Sequence, residues 1–224
     1  MPLRIRPATE ADSFRIGCIG RDAFRDTVSR ALFPPELYSK SPTGDPGLDE
    51  ALWRAARNTR RLKEGKLTYV AIDDPQDGTT AEPEVVGYCQ WELPCSEEQS
   101  NAGAPEVDRD PTPPTLDRER ARAIMEMGER KIKEALGEEG HRDLWYLMIL
   151  GVDPAHQRRG IGRMLVQHGL NLAREQGKAA FLIATPEGKG LYQSLGFEQV
   201  GDAYDVYGTV HCSMLWREPQ AGSA

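Results

Sequence analysis

The chain has 224 residues, with 28 Lys and Arg against 35 Asp and Glu and a net charge of −7. An apolar fraction of 39% with 22 glycines besides suffices for one substantial globular domain, expected over residues 1–220. There is no apolar run of about 18 residues to cross a membrane, no long basic run to meet a nucleic acid, and no apolar signal-peptide core in Met1-Pro2-Leu3-Arg4-Ile5-Arg6.

The first element is a short strand, Leu3-Arg4-Ile5-Arg6, alternating apolar and charged residues up to Pro7. Thr9-Glu10-Ala11-Asp12 caps a helix whose Phe14, Ile16, Ile19 and Phe24 recur at helical spacing. Prolines and glycines over 34–47 predict a loop, followed by a helix over 49–64 with Leu52, Trp53, Ala56 and Leu62 turned to the core. Asp45, Asp49 and Glu50 read as ordinary loop and helix-start charges. Strands over 67–72 and 84–93 form a hairpin. Residues 94–115 carry five prolines and almost nothing large and apolar, which predicts a flexible insertion. Next comes a helix over 116–136, with Ile124, Met127, Ile132, Ala135 and Leu136 on one side.

The second half is denser. The run 144–152 is apolar throughout, as in a strand covered on both faces. A helix over 160–176, a buried strand over 179–184, a short helix over 190–195 and two closing strands, 197–206 and 209–216, complete the order. That order gives an α/β chain with a mixed sheet and helices on both faces. Of the four cysteines, Cys89 and Cys95 are not at zinc-ligand spacing. With Cys18 and Cys212 they read as free thiols of a reducing compartment, the cytoplasm.

Chemistry concentrates in Val152-Asp153-Pro154-Ala155-His156-Gln157-Arg158-Arg159-Gly160-Ile161-Gly162-Arg163, which opens directly into a helix. First-turn N–H groups lack intrahelical partners and the helix dipole is positive there, so glycines at 160 and 162 admit an oxygen-rich anion to the backbone. A P-loop is excluded for want of G-x-x-x-x-G-K-S/T. A dinucleotide fingerprint is excluded because Leu165 stands at its third glycine.

Gln157-Arg158-Arg159-Gly160-Ile161-Gly162 is similar to the Q/R-x-x-G-x-G/A signature of the GNAT superfamily of N-acetyltransferases. Leu191-Tyr192-Gln193-Ser194-Leu195-Gly196-Phe197 resembles its L-Y-x-x-x-G-F segment, and the Phe33-Pro34-Pro35 loop is similar to fungal members. The resemblance implies a GNAT-type sheet of about seven strands and transfer of the acetyl group of acetyl-CoA to a primary amine, on a small molecule or a peptide. It implies that Leu150, Gly151 and Val152 offer backbone groups to the pantetheine arm. It implies that Gln157, Arg158, Arg159, Gly160, Ile161, Gly162 and Arg163 hold the diphosphate, and that Tyr192 protonates the departing thiolate. Thr185 stands where the family often has Asn, and its hydroxyl offers fewer donors to the coenzyme. A backbone N–H near 150–152 would receive the developing negative charge, and Glu92, then His211, are the candidate bases. Neither a metal nor a nucleic-acid or membrane partner is expected. The competing reading is a non-catalytic acyl-CoA-binding module.

Overall fold

The computed structural model describes residues 3–74, 82–94 and 109–218; Cys95, the N-terminal Met1-Pro2 and most of the expected 94–115 insertion lie outside them. Seven strands make one sheet in the order β1-β2-β3-β4-β5-β7-β6. β1 (Leu3–Pro7), β2 (Leu67–Asp73), β3 (Glu84–Glu92) and β4 (Trp145–Val152) pair antiparallel in turn. β4 and β5 (Ala180–Ala184) pair parallel, and β7 (Thr209–Trp216) joins β5 to the edge strand β6 (Glu198–Val206).

Side-chain alternation divides the core between two faces. Ala71, Val86, Cys89, Trp91, Leu182 and Met214 face α5 (Ile161–Glu175) and α6 (Pro186–Gln193). The other face meets α1 (Ser13–Ala23) through Val70, Ile72 and Tyr88, and α4 (Arg118–Leu136) through Phe181 and Leu215. α2 (Val28–Leu32) and α3 (Pro46–Lys63) add a satellite core of Leu32, Phe33, Trp53, Leu116 and Ala121.

Two features of β4 shape the middle of the sheet. First, β4 and β5 pair only from Trp145–Ala180 to Leu147–Leu182; beyond that point β4 runs on to Val152 while β5 continues to pair with β7 alone. The sheet therefore opens between its two central strands. Second, Gln90 of β3 faces Ile149 and Trp91 faces Leu147, which leaves Met148 as an extra residue in β4: a β-bulge at the mouth of the opening. The uniformly apolar run predicts a strand covered on both faces, but Met148, Ile149 and Leu150 are only half-buried because β5 has parted from them.

Other expectations are corrected by packing. Phe14 is 49% and Leu52 45% exposed, and neither enters the core. α3 turns a polar stripe inward instead. Asp49 and Glu50, read as ordinary surface charges, are 3% and 5% exposed. Thr43 and Thr115 donate to Asp49, while Ser29 and Arg54 donate to Glu50 at 2.6 and 2.8 Å. Asp45 does act locally, capping α3 by accepting from Gly47 and Leu48 N–H. The last part of the 94–115 segment is fastened: Arg60 donates to the buried Asp110, and Thr115 is fully buried. The short helix expected at 190–195 begins earlier, at Pro186, a residue preorganised for a first helical position. Cys18, Cys89 and Cys212 are free thiols, as expected.

Candidate functional site

The segment between β4 and α5 is built by local rules. Asp153 caps a single 3-10 turn, Pro154–His156, by accepting from Ala155 N–H at 2.8 Å. Gln157 is extended, Arg158 is left-handed at φ 64°, and Gly160, the N-cap of α5, is left-handed at φ 81°. Glycine adopts that conformation without a Cβ penalty; arginine does so at a cost of roughly 1–2 kcal/mol. Met164 N–H to the Gly160 carbonyl is an early intrahelical bond, so the N–H groups of Ile161, Gly162 and Arg163 precede the α5 ladder. A Cβ on Gly160 would meet nothing within 4 Å, whereas one on Gly162 would stand 3.2 Å from Leu191, between β4 and α6. The result is a row of main-chain donors at a helix start with open space beside Gly160, features suited to an anion.

The side chains around this row are mostly committed to protein. Gln157 Nε2 donates to the Val152 carbonyl at 3.3 Å, Arg159 Nη1 to Asp73 at 2.6 Å, and Arg163 Nη2 to Ser194 at 2.6 Å. Arg158 has no side-chain partner among the described residues. The groups of this turn left free for an anion are therefore the backbone donors and Arg158 rather than a ring of arginines. Leu150 and Val152 pack towards the α5 face beside the opening, and Gly151 lies under the Tyr88 ring.

Tyr192 sits on α6 in the same cluster as Cys89 and Leu165, with the Phe197 ring edge-on at 5.8 Å. Its hydroxyl makes no hydrogen bond among the described residues. Burial, and secondarily Cys89, push the phenol well above its ordinary range, so it is protonated at neutral pH. Thr185 starts α6 and makes no side-chain capping bond.

The two candidate bases differ. Glu92 lies at the end of β3 opposite Tyr146, near the closed end of the β4–β5 pair. Burial raises its carboxyl, but His141 at 3.4 Å and Lys66 outweigh that and leave it at about 2. A carboxylate so stabilised is a weak proton acceptor, so this geometry does not favour the base role read from sequence. Stability has the matching sign: Glu92 contributes above the ordinary carboxylate range and loses that contribution as pH falls towards 2. Glu92→Gln is expected to lower the urea midpoint at pH 7, with the gap to the wild type shrinking between about pH 5 and pH 3.

His211, by contrast, lies on the α4 side of β7, opposite in facing to Cys212 and Met214. Its Nδ1 donates to the Thr209 carbonyl at 2.8 Å, which leaves Nε2 as the lone-pair nitrogen of the neutral ring. The ring stacks on Tyr204, whose own face carries Lys131.

Three elements of the site have no signal in the sequence: the Met148 bulge, the Asp73–Arg159 pair, and a buried network on the α3 side. In that network Arg61 donates to Gln90 at 2.6 Å, and Gln90 donates to Asn58 and Thr68. Among the described residues no group of three His, Cys, Asp or Glu is placed to hold a metal, and no helix is long and apolar enough to cross a membrane.

The chain is similar to several acetyltransferases. Residues 123–199 match the family model of the acetyltransferase (GNAT) domain. Human N-acetyltransferase 8B is 39% identical over 62 residues, covering 26% of this chain and 27% of that protein. Mycothiol acetyltransferase of Streptosporangium roseum is 37% identical over 65 residues, covering 27% of this chain and 19% of that protein. The matched stretch thus spans about a quarter or less of these curated relatives. Among solved structures, a Corynebacterium glutamicum protein described as histone acetyltransferase HPA2 and related acetyltransferase superposes with a TM-score of 0.58 at 22% identity, covering 100% of both chains. Arabidopsis thaliana NAA60, in complex with a bisubstrate analogue, superposes with a TM-score of 0.52 at 16% identity, covering 96% of each.

Proposed function

We propose that this chain, a GNAT-superfamily protein by fold and by its signature segment, transfers the acetyl group of acetyl-CoA to a primary amine. The observation that carries the reading is the conjunction of a donor-lined turn at 158–163 with a sheet that opens beside it, leaving a slot for a thioester arm. Acetyl-CoA supplies an activated acyl group on sulfur. The turn receives its diphosphate through main-chain N–H groups, and the half-buried stretch 150–152 lies along the arm like a neighbouring strand.

The residues divide the chemistry by face. An amine entering from the α1, α3 and α4 side attacks the acyl carbon, and the C–N bond forms as the C–S bond breaks. β4 beyond Leu147 no longer pairs with β5, so a main-chain N–H on that side is free to meet the charge that develops on the acyl oxygen; such donors are worth ~3–4 kcal/mol in other acyl transfers. Tyr192 gives its proton to the sulfur. The amine proton leaves on the opposite face, to His211 Nε2 directly or through water.

Thermal melting with acetyl-CoA tests the reading. At a hundredfold excess over Kd, binding adds ~2.7 kcal/mol, an expected rise of about 5–10 °C in Tm. Thiol release over a panel of mixed amines then separates a transferase from a module that only binds the coenzyme. An unmoved Tm with acetyl-CoA overturns the assignment.

A further inference from the structure

We infer that Asp73, at the end of β2, is a positioning residue for the coenzyme: it holds the anion-binding turn in its binding shape through Arg159. This rests on the reading of 158–163 as the diphosphate site. Arg158 is the only non-glycine residue of that turn at positive φ, and a strained residue persists only where its surroundings over-determine it. Its two neighbours supply that constraint. Gln157 on one side is tied to the Val152 carbonyl, and Arg159 on the other is tied to Asp73, 86 residues away in sequence.

The Asp73–Arg159 contact is built for holding. The Asp73 side chain is only 7% exposed. Its Oδ1 is buried with no hydrogen-bond partner, so Arg159 satisfies the one oxygen that is paired. The hydrogen bond from Arg159 holds the carboxyl below its ordinary range against the opposing effect of burial. The same junction is braced from a second direction. Arg15 of α1 donates to Asp153 and to Glu84, each at 2.6 Å, and to the Val85 carbonyl. His156 lies between the two aspartates, 3.9 Å from Asp73 and 3.6 Å from Asp153. β2, β3 and α1 therefore all grip the short connection that presents the donors.

A consequence distinguishes this chain's turn from a merely basic loop. The Arg159 guanidinium faces Asp73 and is neutralised there, so its share in coenzyme binding is indirect: it fixes the backbone, and the backbone binds. Asp73 and Arg159 should then act as one unit, with non-additive substitutions.

The test is calorimetric titration of the full chain with CoA, for the wild type, Asp73→Asn, Asp73→Glu, Arg159→Ala and the Asp73→Asn/Arg159→Ala double variant, well below each variant's Tm. Asp73→Asn and Arg159→Ala are each expected to raise Kd about tenfold, and the double variant about tenfold rather than about a hundredfold. Asp73→Glu, which restores the pair, should bind within about threefold of the wild type. A purely structural role would lower Tm without moving Kd, and that result overturns the proposal. So does tighter binding by Asp73→Asn, or weakening by Arg159→Ala alone, since either would mean the guanidinium touches the diphosphate itself. A wild type that fails to bind CoA overturns both this and the functional reading, whereas normal CoA binding by every variant overturns only this one.

Discussion

Tyr192→Phe is expected to reduce kcat by about 10²-fold, the lower end of what a positioned general acid contributes, while Kd for CoA stays within about threefold. The expectation comes from what the hydroxyl does and does not touch. It makes no hydrogen bond among the described residues, so its removal leaves no protein donor or acceptor orphaned. The ring remains packed against Phe197 and keeps its contribution to the apolar cluster. What is lost is a proton held on oxygen at every pH below the alkaline range, because burial holds the phenol protonated. Rapid-quench turnover and calorimetry on the same preparation check the two halves. Unchanged kcat would show that the thiolate departs unaided or takes its proton from water.

Gly169→Val is expected to destabilise the chain by about 2–3 kcal/mol, at the upper end of the usual cost of overpacking. Gly169 lies on the inner face of α5, and a Cβ there would collide with the Trp91 indole. Trp91 is fully buried and stacks edge-on with Trp145 at 5.9 Å, so neither ring has room to swing away. The helix would have to lift, and its N-terminus carries the donor row. Urea unfolding should therefore show a lower midpoint at unchanged m-value. A midpoint equal to the wild type would mean that α5 slides without cost.

How much of this is legible in the sequence depends on whether the partners are neighbours along the chain. The turn at 153–163 can be read because its cap, its glycines and its helix start are consecutive, and local dihedral and capping rules act over a few residues. The order of elements along the chain and the mixed character of the sheet come from patterning in the same way. The surroundings of Glu92 cannot be read from the sequence because its partners are remote: Lys66 is 26 and His141 is 49 positions away, and nothing near Glu92 signals them. α3 shows the same limit. Ser29 and Glu50 are 21 positions apart, and their meeting, together with Arg54, makes an inward-facing carboxylate tolerable while Leu52 is left outside. The bulge is invisible for a different reason. Leu147-Met148-Ile149 is chemically uniform, so no side-chain pattern marks which of the three is skipped by β3.

The parting of β4 from β5 also bears on cohesion. The two halves of the sheet share only three rungs, Trp145–Ala180 to Leu147–Leu182, and past them the halves are held by the apolar packing of the helices against the sheet, which has no preferred direction. Such a seam resists separation better than it resists sliding. A rod-shaped amide-bearing guest laid along it would add oriented rungs to both sides at once, stitching two leaves that the chain itself joins only at the spine.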